Sequence, residues 1–379
     1  MEGLKDEGIK DIVIIGGGLA GLINAVRLSS VGRSVLLIEK KIYPFHRVCG
    51  EYISNEALPF LNSIGVDISA LKASSIKKLL ISSQSGDTME AELGLGGFGL
   101  SRYRLDHHLY QLALSKGVEF RLNTQAIDIR YKDQTFKTSF TEGPPVRSRL
   151  LIAAFGKRSS LDRTMERRFF YKRSPYIGVK YHIKGRFAED QIALHNFRGG
   201  YAGLVKIEED QYCLCYLSRK ENLQESGNIA SMEEKILGQN PLLKEIFTKA
   251  EFLYERPEVI NEISFEKKSP VENHVLFSGD AAGMITPLCG NGMAMAIHSA
   301  KILSEIILQN QIHDGFNLDA IEKKYTSEWN EQFASRLSRG RIIQKLMIRE
   351  TLSALSINLL KRSSSLSSWM IRQTHGKAF

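Results

Sequence analysis

Two stretches of this 379-residue chain place glycines and acids at spacings that suit an anionic, nucleotide-like ligand. The first is Gly16-Gly17-Gly18-Leu19-Ala20-Gly21, a G-x-G-x-x-G pattern, with Glu39 18 residues beyond Gly21. Gly16 permits a tight turn, Gly18 lets the backbone approach a pyrophosphate, and Gly21 draws the next helix close to a sheet. A carboxylate at Glu39 can accept hydrogen bonds from both hydroxyls of a ribose. The second stretch is Gly279-Asp280, then Pro287, then Gly290-Asn291-Gly292. The short apolar run Val275–Phe277 precedes it and a long small-residue helix follows. Such a strand–turn–helix offers free N–H groups and a positive helix end to an anion.

These residues need elements to hold them. Ile12–Ile15 reads as a buried strand, residues 19–31 as a helix with apolar residues at helical spacing, and Val35–Ile38 as the next strand. Strand-like alternation covers Ile76–Ser83 and Thr88–Leu93, and Leu95-Gly96-Gly97-Phe98-Gly99 reads as a flexible joint. Helix returns over Leu105–Ser115, with strands near Val118–Leu122, Ile127–Tyr131 and Leu150–Ala153. Residues 176–218 are strand-rich, and helical signals cover 230–249. The pattern implies a nucleotide domain in three segments (1–75, 100–175 and 264–345). A β-sheet substrate domain (76–99 and 176–263) is inserted between them, and a tail spans 346–379.

Composition narrows the class. The hydrophobic fraction is 43% and the charged fraction 25%, ordinary for a globular protein with room for about two domains. No apolar run approaches the roughly 18 residues that span a bilayer, and the acidic start is unlike a signal peptide. Four cysteines without a CxxC suggest neither a disulfide framework nor a metal site, and a cytoplasmic setting is expected. From Arg336 to Phe379, nine basic residues face one acid, so this end carries +8 of the net +9. Arg341, Lys345 and Arg349 recur at helical spacing. Such a helix suits peripheral contact with an anionic membrane or an acidic carrier protein, or packs with a solvated face; nucleic acid is not expected.

The opening βαβ unit, Cys49-Gly50-Glu51, Ser101-Arg102-x-x-Leu-Asp106 and Gly279-Asp280 follow one another as in flavoproteins of the p-hydroxybenzoate hydroxylase fold. The Pro44…Cys49-Gly50-Glu51 stretch most resembles the branch holding geranylgeranyl reductases and related FAD-dependent dehydrogenases and monooxygenases. The resemblance implies an α/β fold: a Rossmann-like FAD-binding domain of the glutathione reductase type, an inserted β-sheet domain and a helical tail. It implies FAD contacts from Gly16, Gly18, Gly21, Glu39, Arg47, Gly50, Glu51, Arg102, Asp106, Gly279, Asp280, Pro287, Gly290, Asn291 and Gly292. Arg102 would meet the pyrophosphate, although a helix-start ion pair with Asp106 is the plain alternative. The helix after Gly292 would aim its positive end at the flavin edge that gains charge on reduction.

Cys49, beside Arg47 and the flavin, would be an exposed and acidic thiol and the catalytic proton donor, or else only a shaper of the pocket. Cys289 would face away from substrate. Tyr201 and Gly203 match a substrate-lining segment in which tryptophan replaces Gly203. With only Trp329 and Trp369 in the chain, a tryptophan halogenase is disfavoured. Phe155 stands where aromatic hydroxylases carry an aspartate linked to FAD and NADPH binding; NAD(P)H is the expected reductant, although the chain has no second dinucleotide fingerprint. The expected reaction is reduction of a carbon–carbon double bond in a lipophilic, isoprenoid-like molecule. Hydroxylation of an aromatic or polyketide-like ring with NAD(P)H and O₂ is the rival, and a non-catalytic flavin-binding membrane partner a third reading.

Overall fold

The computed structural model describes residues 8–286, 288, 290–313, 315–347 and 376–379. The expectations for Pro287, Cys289 and nearly all of the 346–379 tail fall outside this set.

Ile12, Val13 and Ile14 have no exposed surface, as a strand covered on both faces requires. Each such isoleucine contributes on the order of 1.5–3 kcal/mol by leaving water. Lys10–Ile15 pairs in parallel with Val35–Ile38 on one side and with Val146–Ala153 on the other. Glu119–Arg121 and Val275–Phe277 extend this parallel layer at either edge. Helices Leu19–Ser29, Arg102–Ser115 and Gly292–Gln309 pack together in the same apolar core. The glycine pattern therefore sits where strand Lys10–Ile15 turns into helix Leu19–Ser29, and Gly279-Asp280 follows strand Val275–Phe277 of the same sheet.

A second, mostly antiparallel sheet holds the remaining long strands. Tyr176–Lys184, Tyr212–Arg219, Gly200–Lys206, Gln191–Phe197, Ser74–Ser82 and Thr88–Gly99 are neighbours in that order. The short strand Tyr52–Ser54 closes the edge by pairing with Gly97–Gly99. Helices Lys220–Ser226, Ile229–Lys235 and Pro241–Lys249 follow the sheet.

Leu95–Gly99 is not a joint. It is the end of the 12-residue strand Thr88–Gly99. Its glycines serve close approach: a Cβ on Gly99 would lie 1.8 Å from the carbonyl oxygen of Lys206, and one on Gly97 2.6 Å from that of Ile53. Small size, not looseness, explains the glycines here.

The chain closes with helix Leu318–Met347, whose Trp329, Phe333 and Leu337 enter the first core. Among the described residues no helix is long and apolar enough to cross a membrane.

Candidate active site

A cavity of about 820 Å³ runs between the two sheets. At one end it is lined by Gly16, Gly18, Glu39, Arg47 and Arg102, with Gly279, Asp280, Gly290 and Gly292 further along. At the other end the wall is apolar and belongs to the second sheet: Ile192, Leu194, Leu204, Val205, Leu217 and Ile260. Cys49, Gly50, Tyr201 and Gly203 also line it, whereas Gly21, Asp106 and Asn291 stand behind the wall.

The glycines divide the work of shaping the polar end. A Cβ on Gly16 would lie 2.5 Å from the oxygen of Ala154, and one on Gly21 1.9 Å from the oxygen of Gly16, so both are fixed by backbone packing. A Cβ on Gly18 would meet only the tip of Arg102, at 3.5 Å. The packing of the fold therefore does not require a glycine at position 18, which opens on the cavity. No side chain caps the helix that begins there, which leaves its positive end facing the cavity. The second helix, Gly292–Gln309, likewise starts without a side-chain cap at Asn291.

Charged groups are paired around this cradle. Glu39 accepts the Gly17 N–H at 2.8 Å and the Lys41 N–H at 3.1 Å. Arg47 reaches Glu39, the Gly17 carbonyl and Asp106, all within 3.1 Å. Arg102 makes a two-pronged contact with Asp106, both bonds 2.7 Å, so the helix-start ion pair is formed. On the far side two buried cations fix the Gly279–Ala281 turn. Lys268 donates to the Asp280 carbonyl at 2.8 Å, and Arg167 to the Ala281 carbonyl at 3.0 Å. Burial pushes the Asp280 carboxyl upward, against Lys268, Arg102 and Lys157. Burial also pushes Lys157 and Lys268 down to about 8.

The Cys-Gly-Glu loop differs from expectation in two ways. Cys49 is not an acidic thiol: burial pushes its pKa up more than Arg102 and the Glu51 N–H pull it down. Glu51, expected beside the flavin, turns its carboxylate into the protein. Its backbone is in the left-handed region, φ 55°, and the residue is 1% exposed. One oxygen accepts from Lys180 Nζ at 2.5 Å and from the Arg102 N–H at 2.8 Å; the other meets His182 Nε2 at 2.6 Å. Burial alone would raise this carboxyl, but Lys180 and His182 together hold it down at about 2. Glu51 thus anchors the helix Arg102–Ser115 to the second sheet.

Lys180 and His182 escaped sequence reasoning. They alternate on strand Tyr176–Lys184, and Lys180 has no exposed surface. A lysine and a histidine two apart on a strand point to one face, and that was the available signal. Cys213 lies opposite His182 and donates its thiol to the Cys49 carbonyl at 3.3 Å. Glu51, His182 and Cys213 approach within 4.8 Å of one another. Lys180, the Arg102 N–H and His182 already occupy both oxygens of that carboxylate, so the trio reads as a hydrogen-bonded ion-pair cluster.

Residues 10–181 match a family model described as FAD binding domain. Digeranylgeranylglycerophospholipid reductase 1 of Methanopyrus kandleri is 25% identical over 358 residues, 89% of this chain and 90% of that protein. A geranylgeranyl bacteriochlorophyll reductase-like protein of Thermoplasma acidophilum superposes with a TM-score of 0.77 at 18% identity, covering 98% of this chain and 96% of that one. The flavin-dependent brominase Bmp2 superposes with a TM-score of 0.78 at 20% identity, covering 98% and 94%. Residues 10–181 match an FAD-binding domain, and the chain is an FAD-dependent oxidoreductase, similar over most of its length to the archaeal reductase and in fold to the reductase-like protein and the brominase.

Proposed function

We propose that the protein reduces a carbon–carbon double bond in a lipophilic, isoprenoid-like molecule. The observation that carries this reading is the cavity itself, which joins a glycine-and-charge cradle to an apolar wall. FAD fits the cradle. The open face at Gly18, two helix ends without side-chain caps and the acid at Glu39 suit its pyrophosphate and ribose. Gly16, Gly18, Glu39, Arg47 and Arg102 would hold the nucleotide half, with Gly21 and Asp106 behind them. Gly50, Gly279, Asp280, Gly290 and Gly292 would line the flavin half, with Asn291 behind them. When bound, the flavin supplies the hydride.

The protein's own part is to orient, exclude water and provide a proton. Ile192, Leu194 and Val205 present a hydrocarbon surface to the substrate chain, and Tyr201 and Gly203 lie on the same strand of that wall. Cys49 lines the cavity, and its raised pKa keeps the thiol protonated, as a proton donor to a substrate carbon must be. NAD(P)H is the proposed reductant. A cytoplasmic setting, with the basic C-terminal end in peripheral contact with an anionic membrane, suits a lipid substrate.

The test is product mass. Protein loaded with FAD, reduced with dithionite without oxygen and mixed with a geranylgeranyl lipid should return product heavier by two hydrogens. Product formed only with oxygen, and heavier by one oxygen atom, would establish the hydroxylase instead. FAD bound with no product under either condition would favour the non-catalytic partner.

A further inference from the structure

Behind the Cys-Gly-Glu loop, side chains from separate segments form one hydrogen-bonded line. His46 Nδ1 lies 3.0 Å from the Tyr254 hydroxyl, which lies 2.8 Å from His182 Nδ1. His182 Nε2 then meets Glu51 at 2.6 Å, and Glu51 meets Lys180 at 2.5 Å. Only His46 of these five lines the cavity apart from the Glu51 loop residue itself. The buried end is closed by the ion pair, whose two side chains have no exposed surface.

The donors have a fixed direction. The Glu51 carboxylate can only accept, so His182 Nε2 carries a proton and donates it. In neutral His182, Nδ1 is then the acceptor and the Tyr254 O–H donates to it. The Tyr254 oxygen in turn accepts from His46. A proton entering at His46 therefore comes to rest on His182, as an imidazolium beside the Glu51 carboxylate. Release runs the same way backwards. We propose that His46, Tyr254 and His182 are a proton store that opens on the cavity, anchored by Glu51 and Lys180, and that it restores the proton Cys49 gives up in each turnover.

This rests on the reading of Cys49 as donor. The step is a proton transfer with no redox change. The Cys49 thiolate gains an S–H bond; His46 loses a proton through solvent in the cavity and regains one from Tyr254. Tyr254 is refilled from His182, which becomes neutral and is recharged from solvent after product leaves. His46 and Cys49 both line the cavity and are three residues apart on one loop, which keeps their Cα atoms within roughly 11 Å.

The surroundings favour release at His46. Burial, then Lys180 and His182, push its pKa down to about 4, with Glu51 opposing and Lys41 assisting, so it passes a proton on rather than keeping it. Its ring stacks on Tyr103 at 4.6 Å. Tyr254 faces Lys180, Glu51, Cys213 and Glu258, and burial raises its pKa, so it relays as a hydroxyl and not as a phenolate.

Two measurements on the full-length protein test this. In ¹⁵N-histidine-labelled protein, NMR should show the ring nitrogens of His182 responding as His46 takes up a proton, and Tyr254→Phe should abolish that response. In FAD-loaded protein given a geranylgeranyl lipid, Tyr254→Phe should lower the ratio of the steady-state rate to the first-turnover rate at least tenfold, because Cys49 starts protonated. No response of His182 in the unaltered protein, or an unchanged ratio in Tyr254→Phe, would overturn the store. Cys49→Ala with an undiminished first turnover would overturn the donor reading alone, leaving the NMR result to judge the chain.

Discussion

The two sheets solve opposite problems. The parallel sheet presents backbone to the cavity, glycines and helix ends, with the Gly279–Ala281 turn held from behind by Lys268 and Arg167. The antiparallel sheet presents side chains, apolar ones to the cavity and a buried charged cluster behind the Cys-Gly-Glu loop. A backbone site tolerates almost no change in residue size yet asks little of charge. A side-chain site tolerates changes in shape and fails when one ion is removed.

The sharpest break in this contrast is at Gly18. Gly18→Val should leave thermal unfolding within a few degrees of the unaltered protein, since only the flexible end of Arg102 is near. It should weaken FAD binding at least ~100-fold, about 3 kcal/mol, measured by flavin fluorescence. Gly21→Val should instead damage the fold, because its Cβ would overlap the Gly16 oxygen. Equal loss of stability in both variants would erase the distinction between a ligand-facing and a packing glycine.

Glu51→Ala probes the other sheet. It strands the Lys180 ammonium without its carboxylate, and urea unfolding should show a loss of ~3–5 kcal/mol. Combining it with Lys180→Met should recover a large part of that loss. No recovery would mean that the Arg102 and His182 contacts, not the ion pair, carry the stability.

Next in size is the apolar wall. A Cβ on Gly203 would find only ordinary contacts, 3.6 Å to Leu194 and to the Cys215 oxygen. Gly203→Trp should therefore fold, keep FAD, and lower kcat/KM for the longest lipophilic substrates ~10-fold, about 1.4 kcal/mol. Unchanged chain-length preference would remove Gly203 from the substrate wall.

The smallest effect is in pH. Burial holds His46 and His195 at about 4, below the usual 6.5. The folded state then binds fewer protons than the unfolded chain between those values. Stability is full above about pH 6.5 and falls as pH drops toward 4. Glu51, held at about 2 against the usual 4.5, adds a further loss as pH falls from about 4.5 toward 2. The melting temperature should drop by several degrees from pH 7 to 4.5, and His195→Asn should flatten that slope.

The contrast also explains what could be read from sequence. Gly16, Gly18, Gly21 and Glu39 were legible because a strand, a tight turn and a helix impose a fixed spacing within about 30 residues. Gly279-Asp280 was legible for the same reason. The Glu51 cluster was not, since its members are 129 and 131 residues apart and alternate with apolar neighbours as any strand does. Gly97 and Gly99 misled because a glycine required by a crossing backbone looks the same in sequence as one that confers freedom. The thiol of Cys49 misled because its pKa is set by burial, which only the assembled loop creates.

Glu51 has one more consequence, and it concerns time. Its bonds to Lys180 and His182 join residues so distant in the chain that loop closure must come before they form. Such contacts are expected to form late, after the rate-limiting barrier, and unfolding and refolding rates of Glu51→Ala check this. Weakening them should hasten unfolding while leaving refolding speed nearly as it was. The clasp therefore governs how long the finished molecule lasts, not how quickly it is made.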